Sequence, residues 1–376
     1  MIFQFIIPIS VAVCLLFGWS AYTLPVGMAA KIVFFLLTVF GLAYILPIGP
    51  IYDPALYLPY ELIICLALVS AFAFFYLWAK LLHFLIAVVY SLLSLSSAKI
   101  KQQAKALWTS RKINCAIILL CMLASPYSVY ETIRVPDVKH VTLAYANLPD
   151  ELEGYTIAQI TDTHTGLIFT RDWQEAVVQK IMNEKPSLIV HTGDIGDTHP
   201  QTIADSLAPL KNLSAPDGVY YVFGNHENYH TLHYWQEFFK ENNLTVLENE
   251  TVYIHDYLAV SGAKAQARHA ANTSQTFLNS VAKSYFHLYL HHHPASFKEA
   301  APFIDLQLSG HTHGGTVFFL TPLIKHFNAG FVSGIYEQDK AKLYVSSGTG
   351  IWSYTAFRLF VPSEITILHL KKKNSF

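Results

Sequence analysis

Apolar residues are distributed in two ways along this chain. Through residue 130 they run almost without interruption, and Lys31 is the first charged side chain. From residue 131 onward they come in short runs separated by polar breaks, as in an ordinary soluble domain. A membrane-spanning helix needs roughly 20 mostly apolar residues, and four stretches approach or meet that length: 2–22, 32–49, 62–79 and 113–130. A soluble helix needs a wet face, which uncharged runs of this kind do not provide. A cleaved signal peptide is disfavoured for 2–22, because it lacks a basic start and further apolar segments follow. Residues 62–98 are interrupted only by Lys80 and would extend about 55 Å as one helix. Neither Gly nor Pro occurs at Trp78-Ala79-Lys80 to turn the chain there, which favours four passes over five.

The soluble part predicts alternating elements. Strands are expected at 141–144, 154–161, 187–191 and 218–223, with helices at 171–184, 202–212 and 228–242 between or after them. A strand-rich end follows, at 244–247, 251–255, 257–262, 285–290, 305–309, 342–347 and 364–369. The pattern is an α/β start passing into a more β-rich end, with sheets covered by helices. The domain division is 1–130, a helical anchor, and 131–376, the soluble domain.

Charge adds orientation. Lys99, Lys101, Lys105, Arg111 and Lys112 precede the last apolar segment with no acid among them. Such loops stay on the cytoplasmic side, so everything after residue 131 is expected on the periplasmic or extracellular face of the inner or plasma membrane. The net charge of −1 gives no basic field for nucleic acid. All four cysteines lie in the apolar third, which excludes a disulfide framework or a cysteine zinc site in the soluble domain.

Candidate chemistry sits in five motifs: Asp162-Thr-His164, Gly193-Asp194, Gly224-Asn-His-Glu227, His291-His-His293 and Gly310-His-Thr-His-Gly314. Several follow predicted strands directly, where α/β sheets place ligand sites. Taken singly they are weak. Gly-Asp is commonly a turn, and Asn225 with Glu227 reads equally well as a helix cap. Three adjacent histidines cannot all face one site. The conjunction is what carries weight: two Asp, an Asn and several His, with oxygen and imidazole donors and no thiolate. This set suits two Mn, Fe or Zn ions more than Mg or Ca. Paired cations would yield a hydroxide nucleophile for phosphate-ester hydrolysis.

The set resembles the calcineurin-like metallophosphoesterase superfamily over about residues 139–370. The stretches Tyr344–Gly350 and Pro362–Ile367 resemble its bacterial membrane-anchored branch. The resemblance implies a four-layer α-β-β-α sandwich, preceded here by an all-α transmembrane region. It implies that Asp162, His164 and His313 bind one metal, Asn225, His292 and His311 the other, and that Asp194 bridges them. His226 would act on the leaving oxygen without binding metal. His291 is the alternative to His292, and Asp197 matches an acid often found three residues after the bridge, though an ordinary loop cap explains it equally well. Thr316 departs from the branch, which often has a polar amide there. The expected activity is a membrane-anchored phosphoesterase, phosphodiester favoured, on a lipid- or nucleotide-linked substrate at the bilayer. The aromatics Tyr229, Tyr234, Trp235, Trp352 and Tyr354 would suit such a substrate or belong to the core. Alternatives are a monoesterase or pyrophosphatase, a metal sensor without turnover, and a transport role for the helices.

Overall fold

The computed structural model describes Leu24 and residues 26–45, 59–94, 97–229, 232–264, 276–352 and 355–373. The chain divides into two compact units: residues up to Tyr130 with the short stretch ending at Phe357, and the remainder from Glu131.

The first unit is helical. It contains α1 (Met28–Ile45), α2 (Tyr60–Leu93), α3 (Ala98–Thr109) and α4 (Arg111–Ile133). The apolar stretch expected at 2–22 lies outside the described residues. α2 and α4 are each long and apolar enough to cross a membrane. α2 passes unbroken through Trp78-Ala79-Lys80 and, at 34 residues, is about 51 Å long. The basic loop expected between 99 and 112 is mostly the helix α3. Lys80 and His83 are buried on α2, where Lys80 Nζ lies 3.2 Å from His83 Nδ1 and donates to Asn114 Oδ1 on α4 at 3.3 Å. The Tyr76 hydroxyl donates to the same Asn114 oxygen at 3.2 Å, so polar groups in an apolar unit tie α2 to α4.

The second unit is a two-sheet sandwich. The first sheet has the order β1 (Asp137–Tyr145), β12 (Glu364–Lys372), β2 (Thr156–Ile160), β3 (Leu188–His191), β4 (Val219–Tyr221), β5 (Thr245–Val246). The second has the order β10 (Gly334–Gln338), β11 (Ala341–Val345), β9 (Leu306–Ser309), β8 (Phe286–Leu290), β7 (Leu258–Gly262), β6 (Glu250–Ile254). β2 to β5 run parallel, as do β7, β8, β9 and β11.

Central strands are buried on both faces and mainly apolar, because both faces are covered. Leu188 and Val190 of β3 join Leu288, Leu290, Leu306 and Leu308 of the other sheet in one core between the layers. Full burial of such side chains stabilises by roughly 1.5–3 kcal/mol each. On the outer face of the second sheet, Tyr289, Leu343 and Val345 pack with Phe297, Ala300 and Ala301 from short helical turns. Outside the first sheet, the Tyr221 and Phe223 rings meet Phe239 of α8 (Leu232–Glu241). The same side carries α5 (Arg171–Glu184), whose Trp173, Val177, Val178 and Ile181 are buried at helical spacing. α5 ends where Lys185 turns left-handed and Pro186 cannot continue the helix. This is the four-layer arrangement implied by the resemblance.

The helix expected at 202–212 is a single α turn, α6 (Ala204–Leu207), continued as a 3-10 turn containing Pro209. The helix expected from 228 begins instead at Asn225, as α7 (Asn225–Tyr229). β10 was not anticipated: it is a short, partly exposed edge strand whose apolar signal is weak.

Candidate metal centre

The parallel strands of both sheets deliver the motifs to one edge. Residues 162–164 follow β2, 193–197 follow β3, and 224–227 follow β4. From the other sheet, 291–293 follow β8 and 310–314 follow β9. Adjacent parallel strands end level, so the loops leaving them converge.

Three overlapping clusters of ligand-type atoms result, each within 4.8 Å: Asp162, His164, His313; His164, Asp194, His226; and Asp194, His292, His311. The first and second share His164, and the second and third share Asp194. Asp194 Oδ1 accepts the His226 backbone N–H at 2.9 Å. Its Oδ2 lies 3.1 Å from His292 Nε2 and 3.9 Å from both His164 Nε2 and His226 Nε2. On the other side, His164 Nε2 is 3.3 Å from His313 Nε2, which is 3.5 Å from Asp162 Oδ1. Asn225 opens α7 and is buried, and its Oδ1 has no hydrogen-bond partner among the described residues.

The backbone around these groups is strained. Asp162, His164, Asp194, His311 and His313 all have positive φ, a conformation that non-glycine residues seldom adopt. Strain concentrated on five of the seven expected ligands marks a functional site. Close approach requires glycine beside them: a Cβ on Gly224 would lie 2.2 Å from Asp194 Oδ1, and one on Gly310 would lie 2.1 Å from Asp162 Oδ2.

Supporting contacts orient the donors. His292 Nδ1 donates to the Thr192 carbonyl at 2.8 Å, and His164 Nδ1 to Asp197 Oδ1 at 2.5 Å. Each therefore turns an Nε2 lone pair into the cluster, the arrangement expected of metal-binding histidines. Two imidazole nitrogens facing each other beside a carboxylate, and a buried amide oxygen without a donor, fit cations. His291 is not so placed, because its Nδ1 accepts from the His293 backbone N–H.

Burial opposes ionisation of Asp194, yet His292, His226 and His164 hold its carboxyl well below the usual range. Asp162 is pushed upward, first by burial. Burial, reinforced by neighbouring histidines, keeps His311 and His313 neutral, with lone pairs free. Burial works against charge on His226, but Asp194 and Asp197 outweigh it and hold the imidazole up at about 10.

Two residues do more than the sequence suggested. Asp197 Oδ1 holds His164 and also lies 2.9 Å from His226 Nδ1, so the acid three positions after Asp194 orients two imidazoles. Glu227 is fully buried and accepts four backbone N–H groups, from Asp194, Ile195, Gly196 and Gly224, at 2.6–3.2 Å. Of the aromatics, Trp235 is core. The exposed Tyr229 and the half-buried Trp352 have rings 5.5 and 6.0 Å from that of His226, and Tyr234 packs on His199. Tyr354 lies outside the described residues.

A two-sheet sandwich with paired Asp/His clusters at one edge defines a two-metal hydrolase scaffold. The calcineurin-like phosphoesterase family model matches residues 155–315. An uncharacterized metallophosphoesterase of Campylobacter jejuni is 32% identical over 269 residues, covering 69% of each chain. One from Helicobacter pylori is 32% identical over 257 residues, covering 65% of this chain and 66% of its own, so this chain spans about two thirds of such relatives. A Danio rerio transmembrane protein with a metallophosphoesterase domain is 27% identical, covering 74% of this chain and 67% of its own. The solved structure of a Danio rerio dimetal phosphatase aligns at TM-score 0.34 and 14% identity, over 52% of this chain and 88% of that one. The chain belongs to the calcineurin-like phosphoesterase family. It is a metal-dependent phosphoric ester hydrolase.

Proposed function

We propose that this chain is a membrane-anchored phosphodiesterase with its catalytic unit outside the cytoplasm. Asp162, His164 and His313 would hold one divalent cation, and Asn225, His292 and His311 a second, with Asp194 shared between them. The observation that carries this reading is that the Asp194 carboxylate faces His292 on one side and His164 on the other. An anionic carboxylate there offsets charge between two cations. Mn²⁺, Fe²⁺ or Zn²⁺ suits the mixed oxygen and imidazole donors. The cations, when bound, would activate water and offset charge on the phosphate.

The protein's own part is positioning and proton transfer. His226 keeps 15% of its side chain exposed, and its Nδ1 lies 2.9 Å from Asp197 Oδ1. Its Nε2 is then the atom that donates a proton to the departing oxygen. Tyr229 and Trp352 beside it favour a leaving group with an apolar or ring-bearing part, as in lipid- or nucleotide-linked esters. That flank bears on the leaving group alone, and the second ester arm of a diester is what the paired assay tests.

The test is a paired assay of the purified chain with Mn²⁺, using a chromogenic phosphodiester and the matching monoester, beside Asp194→Asn. Diester cleavage that falls about 10³-fold in the variant supports the reading, a loss of roughly 4 kcal/mol of transition-state stabilisation. Preference for the monoester would overturn the diester assignment, and full activity in D194N the shared-carboxylate role.

A further inference from the structure

Arg358 lies beyond the segment matched by the family model, yet its guanidinium reaches the metal centre. It is completely buried. Nη1 donates to the His313 carbonyl at 3.0 Å and to the Val361 carbonyl at 3.3 Å. Nη2 donates to the carbonyls of Ser347 and Gly350, both at 2.8 Å. Gly350 N–H in turn donates to the Asp162 carbonyl at 2.9 Å, and Thr349 N–H to the Thr161 carbonyl at 2.8 Å. One side chain thus joins the backbone of His313, directly, to that of Asp162, through Gly350. Those two residues come from different sheets, and both have positive φ.

The choice of arginine is physically expensive. Burying a cation carries a penalty of several kcal/mol unless it is paired, and among the described residues no carboxylate lies within ion-pair distance of it. Asp162 and Glu364 attract the charge only from beyond that distance, so charge complementarity is at most part of the reason for the residue. Its geometry supplies the rest: four carbonyls converging on one point need four N–H groups in a planar fork, which only guanidinium supplies. Lysine would offer three donors from a single atom, and glutamine two.

We propose that Arg358 is a positioning residue for the first cation cluster, holding His313 and Asp162 at the separation that cluster needs while leaving the second cluster to its own supports. This rests on the reading of Asp162, His164 and His313 as one cation's ligands. It has a counterintuitive consequence. Removing a buried positive charge near a cation site should by itself strengthen cation binding there. If geometry is what Arg358 supplies, binding weakens instead.

The experiment is calorimetric titration of Mn²⁺ into the metal-stripped full chain in detergent, comparing wild type with Arg358→Gln and Arg358→Lys. Far-UV circular dichroism checks the fold of each variant. The wild type is expected to bind two Mn²⁺. In R358Q one site keeps its affinity and the other weakens about 10–100-fold, the usual effect of losing a group that orients a ligand. R358K falls between the two, and excess Mn²⁺ restores turnover in both. Unchanged or tighter binding at both sites would overturn the proposal, as would equal weakening of both. Loss of fold in both variants would overturn it too, because Arg358 would then support the whole unit rather than one cluster. Fewer than two Mn²⁺ in the wild type would instead defeat the two-cation reading itself.

Discussion

Glu227 shows how much a single carboxylate can organise. Each of its oxygens accepts two backbone N–H groups, and the four donors lie on two loops: Asp194, Ile195 and Gly196 on one, and Gly224, directly before Asn225, on the other. An ionised carboxylate offers acceptors only, about four lone-pair sites, and all are used. Gln cannot replace it, since its NH₂ would face N–H groups. We expect Glu227→Gln to displace the loops of both Asp194 and Asn225 and to weaken Mn²⁺ binding about 10–100-fold, measured by titration. Wild-type affinity in E227Q would mean that the loops hold themselves. His226 should behave differently. It belongs to the cluster with His164 and Asp194 but is assigned to neither cation in the proposed ligand sets, so His226→Ala should keep both cations and lose about 10²–10⁴-fold in kcat, the range for a general acid. Metal analysis combined with steady-state kinetics separates the two cases, and normal turnover in H226A would remove the proton-donor role.

Elements were legible wherever their periodicity was unambiguous. The helix at 171–184 has apolar residues at helical spacing, a proline directly behind its end, and the expected boundaries. Strands β3, β8 and β9 are short and mainly apolar, β3 as a continuous run and β9 by alternation, and lie within a residue of their expected limits. The histidines and aspartates of the centre were legible because they sit in short motifs at the ends of such strands. The contacts of Asp197 and Glu227, both already in view, and Arg358 altogether were not, because their partners are backbone groups or imidazoles brought close only by the fold. Arg358 follows no strand and belongs to no motif, and nothing in its local sequence announces four carbonyls. In the helical unit, the sequence marked Lys80 and His83 as the ionisable groups near mid-segment, but not their partner on α4. Asn114→Leu takes away the acceptor that Tyr76 and Lys80 share. It should lower the stability of the helical unit by about 1–3 kcal/mol, read as an earlier thermal transition in detergent. A transition at the wild-type temperature would show that the α2–α4 tie carries no weight.

At the scale of the whole molecule, the proposed reading puts the substrate on the outer side of a membrane, and the chain carries a natural means of testing this. All four cysteines lie before residue 131, so the catalytic unit is free of thiols. Replacing those four and introducing one reporter thiol gives an unambiguous label. Lys211 is a suitable site, being exposed on the turn after α6 and remote in sequence from the motifs. The basic cluster from Lys99 to Lys112 precedes α4, and positive charge resists transfer out of the cytoplasm. On the proposed reading that end of α4 is inside and the catalytic unit outside, whatever the number of earlier passes. A Lys211→Cys reporter should then react with a membrane-impermeant maleimide in intact spheroplasts as fully as after lysis. Labelling that appears only on lysis would put the catalytic unit in the cytoplasm. It would also redirect the substrate search from envelope esters to soluble nucleotide-linked ones, because an apolar flank beside His226 serves either class equally well.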